Sequence, residues 1–275
     1  VKNNSLKIKG HSLYDGISSS GFTLIELIAV IVILSILATI GTGFVVKTTE
    51  AYQRTQTRAL LVNTSRQALE RMTRQLRIAL PYSVKVVNSD ACIKFLPIVA
   101  GGNYYDSVPD VINVASATDK IKASRSDAVN DFGTPRYVTI GAMEDKELYE
   151  TSVPSIAGYE SYSSGVLQLT TTRQWQRNSI NKRYYLLDNP QAFCVVGNEL
   201  RFYEGINLNA TDVNVTDAHS IIARNIAERD AADPPLFGLE QGSENRNSRV
   251  NISLKFSNGG ETILYTQGVF IRNVP

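Results

Sequence analysis

The 275-residue sequence predicts an α+β fold, in which a long N-terminal helix packs on an antiparallel β-sheet head. Three observations carry this. An apolar run from Phe22 to Val46 spans 25 residues and holds one ionisable side chain, Glu26. Apolar residues then recur at helical spacing as far as Leu80, where Pro81 supplies a stop. Beyond Pro81 the spacing changes to the alternation of half-buried strands.

Residues 1–21 are basic, with Lys2, Lys7 and Lys9 set against Asp15, and they become rich in Ser and Gly. At ~1.5 Å per residue the run that follows reaches across a bilayer core. The basic flank predicts that residues 1–21 stay cytoplasmic and that the remainder is exported. A conventional signal peptide would need a small-residue site after the run; Gly41-Thr42-Gly43 is a weak one and would release the chain. A carboxylate within an apolar span is costly unless it finds a partner. A cut between Gly21 and Phe22 would create an α-amine four residues from Glu26, a partner of opposite charge.

The helix is expected from about Phe22 to Leu80. Val62, Leu69, Met72, Leu76 and Ala79 form its inward stripe, and Arg66, Glu70 and Arg74 an i, i+4 ladder elsewhere on its surface. Seven basic residues lie between Lys47 and Leu80 against two acidic ones. They read as a solvated face, with Arg54 and Arg58 placed for lipid headgroups or for acidic groups on neighbouring subunits. Gly41 and Gly43, with Thr39, Thr42, Thr48 and Thr49 nearby, lower helix propensity and mark an expected point of bending. The expected division is a leader at 1–21, a membrane half-helix at 22–46, an amphipathic half at 47–80 and a β-rich head at 81–275.

Within the head, alternation marks strands at 82–86, 92–97, 137–140, 166–169, 183–187, 192–196 and 199–203. Gly197-Asn198 fits a two-residue hairpin. Thr216-Asp217 reads as the cap of a short helix over 218–228, with Ala218, Ile221, Ile222 and Ile226 on its apolar side. The last hairpin is expected to join Val250–Phe256 to Thr262–Ile271 through a loop at 257–260. Residues 100–160, rich in Gly, Asn, Asp and Ser, should hold short strands and a long surface loop.

Composition narrows the function. Net charge is +2, and the leader supplies all of it, so a cleaved chain is formally neutral and lacks the footprint of a nucleic-acid binder. No nucleophile elbow or paired acid and base is visible, which argues against an enzyme; His11 and His219 are far apart. Asp127–Asp131 and Asp230–Asp233 cluster oxygens without forming a regular calcium loop, so no metal or other cofactor is expected. Cys92 and Cys194 each precede apolar strand residues. A bridge between them, possible in an exported domain, would close about 100 residues; two buried thiols are the other reading.

The stretch GFTLIELIAVIVILSILA resembles the N-terminal signature of type IV pilins and type II secretion pseudopilins. The resemblance implies cleavage after Gly21 by a membrane-embedded prepilin peptidase, N-methylation of Phe22 by that enzyme, and filament assembly in which Glu26 registers one subunit against another. The implied partners are major and other minor pilins, the inner-membrane assembly platform and membrane lipid. Relatives often carry proline where this chain has Gly43, and the leader is longer than in many of them. The size of the head is similar to that of larger minor subunits, including those of the mannose-sensitive haemagglutinin (MSHA) pilus, with the minor pseudopilins of type II secretion as the alternative. Tyr104, Tyr105, Tyr159 and Tyr162 in loop-like sequence suggest a further alternative, a membrane-anchored adhesin that stacks sugars.

Overall fold

The computed structural model describes residues 21–112, 115–129, 133–149, 155–240 and 247–271. The expected leader up to residue 20, with His11, lies outside the described residues, as do Asn130 and Asp131 of one acidic cluster. The chain divides into two units, residues 1–53 and 54–275.

Helix α1 (Leu24–Arg77) runs for 54 residues. In the first unit its side chains are exposed throughout. In the second, Leu61, Ser65, Ala68, Leu69, Met72, Thr73 and Leu76 are buried, a spacing of three and four that puts them on one face. Arg66, Glu70 and Arg74 are exposed, as expected of the opposite surface. After Arg77 the chain turns before Pro81: the amide of Leu80 donates to the Leu96 carbonyl at 2.8 Å, and Ala79 bridges Pro97.

The strands follow as β1 (Lys85–Val87), β2 (Cys92–Phe95), β3 (Ile98–Asn103), β4 (Thr118–Lys122), β5 (Asp127–Ala128) and β6 (Tyr137–Thr139). The short helix α2 (Lys146–Tyr149) leads to β7 (Ile156–Ser163), β8 (Val166–Arg173), β9 (Arg183–Leu187), β10 (Gln191–Val196) and β11 (Glu199–Tyr203). Then come β12 (His219–Arg224), β13 (Phe237–Glu240), β14 (Ser248–Asn258) and β15 (Glu261–Ile271). All the pairings between these strands are antiparallel.

They make three sheets rather than one: β1-β2-β10-β11-β12, β13-β14-β15, and β4-β8-β7-β6-β9-β3-β5. The division follows the chain: the strands inserted between β2 and β10 pair among themselves, and β13, β14 and β15 pair as a separate C-terminal unit. The stripe of α1 packs on the first two sheets, against Ile93, Phe95, Phe193, Phe202, Val250, Ile252 and Phe256. These sheets are joined where Ile226 bridges Phe256. The seven-stranded sheet buries its own core around Trp175, Tyr104, Tyr184, Leu167 and Leu169. All its strands lie between β2 and β10, which are themselves neighbours.

Three local expectations are corrected. The helix expected over 218–228 is strand β12, paired to β11 and ended by Asn225 in the left-handed region (φ 66°). Ile221 and Ile222 are β-branched, and pairing with an existing strand outweighs the capping signal. The first strand begins at Lys85 rather than Tyr82, which has φ 65° and sits in a turn. The last hairpin turns on Gly259-Gly260 alone, both at positive φ as a type I′ turn requires, so its arms are longer than expected.

Candidate processing and assembly site

Gly21, Phe22 and Thr23 precede the helix and are exposed. The Glu26 amide donates to the Thr23 carbonyl at 3.1 Å and lies 3.4 Å from the Thr23 hydroxyl; the Leu27 amide donates to the same carbonyl at 3.2 Å. Thr23 is therefore the N-cap of α1 and Glu26 its third helical residue, the spacing of a capping box. A carboxylate in the first turn is also favoured by the helix dipole. Sequence reasoning missed the role of Thr23, although the Thr-x-x-Glu pattern announces it.

From Leu24 to Val46 the apolar side chains point outward, with Phe22 itself 84% exposed. This is a helix long and apolar enough to cross a membrane. Its hydroxyls are satisfied from within: Ser35, Thr42, Thr48 and Thr49 donate to the carbonyls of Ile31, Ala38, Phe44 and Val45 at 2.7–2.9 Å, and Thr39 to that of Ile36 at 2.8 Å. Closing these donors internally suits a segment without water around it. The helix continues through Gly41 and Gly43, where an added Cβ would meet nothing within 4 Å, so no neighbour within the chain demands glycine.

On the second unit's part of α1, the Arg71 guanidinium lies 5.6 Å from the Phe202 ring centroid. Arg54, Arg58, Arg66, Arg74 and Arg77 make no ion pair among the described residues and stand exposed.

The structure joins Cys92 and Cys194 in a disulfide between directly opposed residues of β2 and β10. The bridge lies on the sheet face turned away from α1, in a small core with Ala192, Tyr203 and Val213. The segment after β11 covers it. Asn88 grips this segment through paired bonds to the Val213 backbone at 2.9 Å, and Lys94 donates to the Ala210 carbonyl. Lys94 is buried, its ammonium 4.3 Å from the Tyr149 ring centroid. Burial first, and then the charge of Lys85, pull its pKa down to about 8, against the opposing pull of Asp212. Burial pushes the Tyr149 hydroxyl, which donates to the Ser83 carbonyl, well above the usual tyrosine range.

The other candidates do not assemble into a site. Asp230 and Asp233 both pair with Lys255, so their oxygens are engaged by an ammonium, and no metal-ligating cluster occurs among the described residues. His219 is exposed on β12, with Nδ1 2.9 Å from the Asp217 carbonyl. Of the four tyrosines expected to offer sugar-stacking faces, Tyr104 is 2% exposed and its hydroxyl contacts Asn178, while Tyr159 and Tyr162 pack on the outer core. Tyr105 alone is exposed, at 59%.

No curated protein and no solved structure matches the chain. Residues 18–42 match the model of the prokaryotic N-terminal methylation motif, so the match includes the expected cleavage position at Gly21-Phe22, the N-cap, Glu26 and most of the apolar run. The chain thus carries a type IV pilin-like prepilin signal on an apolar helix that fits a single-pass membrane anchor, and this motif, whose family is structural rather than catalytic, supports the pilin and pseudopilin family.

Proposed function

We propose that the chain is the precursor of a minor pilin, incorporated in or priming assembly of an MSHA-like type IV pilus and similar to its O component. The observation that carries this reading is the position of Glu26: the first turn of an exposed apolar helix, four residues beyond Phe22. Prepilin peptidase cuts after Gly21 and methylates Phe22. The resulting ammonium pairs with Glu26, first within one helix and then across subunits. Residues 22–46 hold the protein in the inner membrane and later in the filament core. Gly41 and Gly43 allow the helix to bend on entry, residues 47–80 carry the head, and residues 81–275 face the periplasm and then the exterior. Major and other minor pilins, the assembly platform and membrane lipid are its partners. A minor pseudopilin of type II secretion would use the same N-terminal chemistry.

Co-expression with a prepilin peptidase tests the reading. Intact mass should show a product that begins at N-methylated Phe22, and Gly21→Trp should remain an uncut membrane precursor. A wild-type chain left whole by the active peptidase would overturn it.

A further inference from the structure

Sheets expose unpaired backbone at their edges, and proteins shield those edges with short strands, charges or irregular pairing. Five of the six edges here follow that rule. β1, β5 and β13 have three, two and four residues. β4 carries Lys120 and Lys122 and is irregular at Thr118–Lys120. β12 ends in Arg224, and its pairing shifts at Leu200/Arg201.

β15 is the exception. It has 11 residues paired without interruption to β14, and from Thr262 to Ile271 it contains no charge and no proline. Among the described residues no backbone group pairs with its outer side. The two-residue turn makes Asn258–Glu261 the first hydrogen-bonded pair of the hairpin. By alternation the outward amides and carbonyls then belong to Thr262, Leu264, Thr266, Gly268 and Phe270. Leu264 and Phe270 are also exposed large apolar side chains, at 44% and 60%. The Arg249 guanidinium lies 5.7 Å from the Phe270 ring centroid and covers part of that ring.

We infer that β15 is a homotypic interface, on which a second copy of this chain adds its own β15 in antiparallel register centred on Gln267. That centre pairs 263–271 with the same residues of the second copy and leaves Glu261, the charged end of the strand, outside the ladder. It sets Leu264 opposite the second copy's Phe270 and Thr266 opposite Gly268, the residues whose outward groups can bond. On the other face it sets Tyr265 opposite Val269 and Ile263 opposite Ile271. Aromatic–aliphatic cross-strand pairs stabilise such a ladder, and the uncharged edge brings no like charges together. The result is a six-stranded sheet continuous across two copies.

The test uses the full-length chain in detergent and in membranes. Light scattering should give twice the 30.3 kDa chain mass. In this register Gln267 faces itself in a pair without backbone bonds, ~4.5 Å between Cα atoms, so Gln267→Cys should cross-link to a covalent dimer under mild oxidation. Thr262→Cys should not, because its two copies lie ~34 Å apart along the ladder. Thr266→Pro removes an outward amide that β14 does not use, and should leave a folded monomer. If that variant fails to fold, Leu264→Lys on the wet face serves in its place. A monomeric wild type, equal cross-linking at 262 and 267, or a dimer that survives both Thr266→Pro and Leu264→Lys would each overturn the assignment. The uncut Gly21→Trp precursor can be used in the same assay, so failure to dimerise and failure to be processed are separate results.

Discussion

The amide of Glu26 donates to the carbonyl of Thr23, which places the only acidic side chain of the apolar run within the first turn of α1. A cut after Gly21 brings the Phe22 ammonium beside that turn. Glu26→Ala should therefore leave processing intact, because the bond proposed to be cut is outside the helix, while sharply reducing the share of mature protein found in sheared filaments. Glu26→Asp should recover part of it. Equal incorporation of Glu26→Ala and wild type would refute the pairing role.

The disulfide separates Cys92 from Cys194 by 102 positions along the chain. Chain-entropy estimates for closing a loop of that length give ~4–5 kcal/mol. The double variant Cys92→Ala, Cys194→Ala should lose about that much in urea unfolding of the oxidised protein's counterpart. A loss below about 1 kcal/mol would mean that the β2–β10 pairing holds without its crosslink.

Arg177 forks onto Glu147 with two bonds of 2.7 Å and donates to the Gly141 carbonyl at 2.8 Å. The carboxylate also accepts from the Met143 amide and the Ser155 hydroxyl, and Glu147 is buried. Removing one partner of a buried pair costs ~3–5 kcal/mol; partial exposure of Arg177 reduces the expectation for Arg177→Met to about 2–4 kcal/mol. Adding Glu147→Leu should restore part of the loss, which a melting series on the three variants would reveal.

Lys94 gives the head a pH signature. Its pKa is about 8 in the fold against the ordinary 10.5, so between these values the unfolded chain binds more protons. Stability then rises with pH across that window and is lowest, as far as this group is concerned, below pH 8. After a discount for solvent screening the gain is on the order of 1–2 kcal/mol. Lys94→Met should flatten the profile over the same window in thermal melts. An unchanged slope would assign the pH dependence to other groups.

How much could be read in advance depended on how local the signal was. The Phe22–Val46 run, the stripe through Leu69, Met72 and Leu76, and the turn at Gly197-Asn198 are encoded by neighbours in sequence, and each produced its element. The last hairpin was expected too, but with a loop at 257–260 rather than the tight turn at Gly259-Gly260. Residues 218–226 carry a pattern compatible with either period, and only the presence of β11 decides it. The outer core was legible in part: Leu167, Leu169 and Tyr184 fall in expected strands, whereas Trp175 and Tyr104 lie just beyond strand ends and meet them only across segments distant in sequence. At the candidate site the glycine, the aromatic and the acid were legible, whereas the capping role of Thr23 was overshadowed by the hydrophobicity that follows it.

Residues 96–190 leave the inner sheet at the end of β2 and return to it at β10, the strand next door, where the disulfide fastens the two together. The seven-stranded sheet is thus a cassette inserted at a stapled seam. Its entry and exit are adjacent strands, and its main core is a cluster separate from the one the helix stripe enters. The cassette is not free of the inner sheet, because the Tyr149 hydroxyl reaches the Ser83 carbonyl, Lys94 lies beside the Tyr149 ring and Lys85 pairs with Asp145. The outer sheet can therefore be enlarged, exchanged or shortened at the strands remote from those three contacts while the staple and the inner sheets keep their pairing.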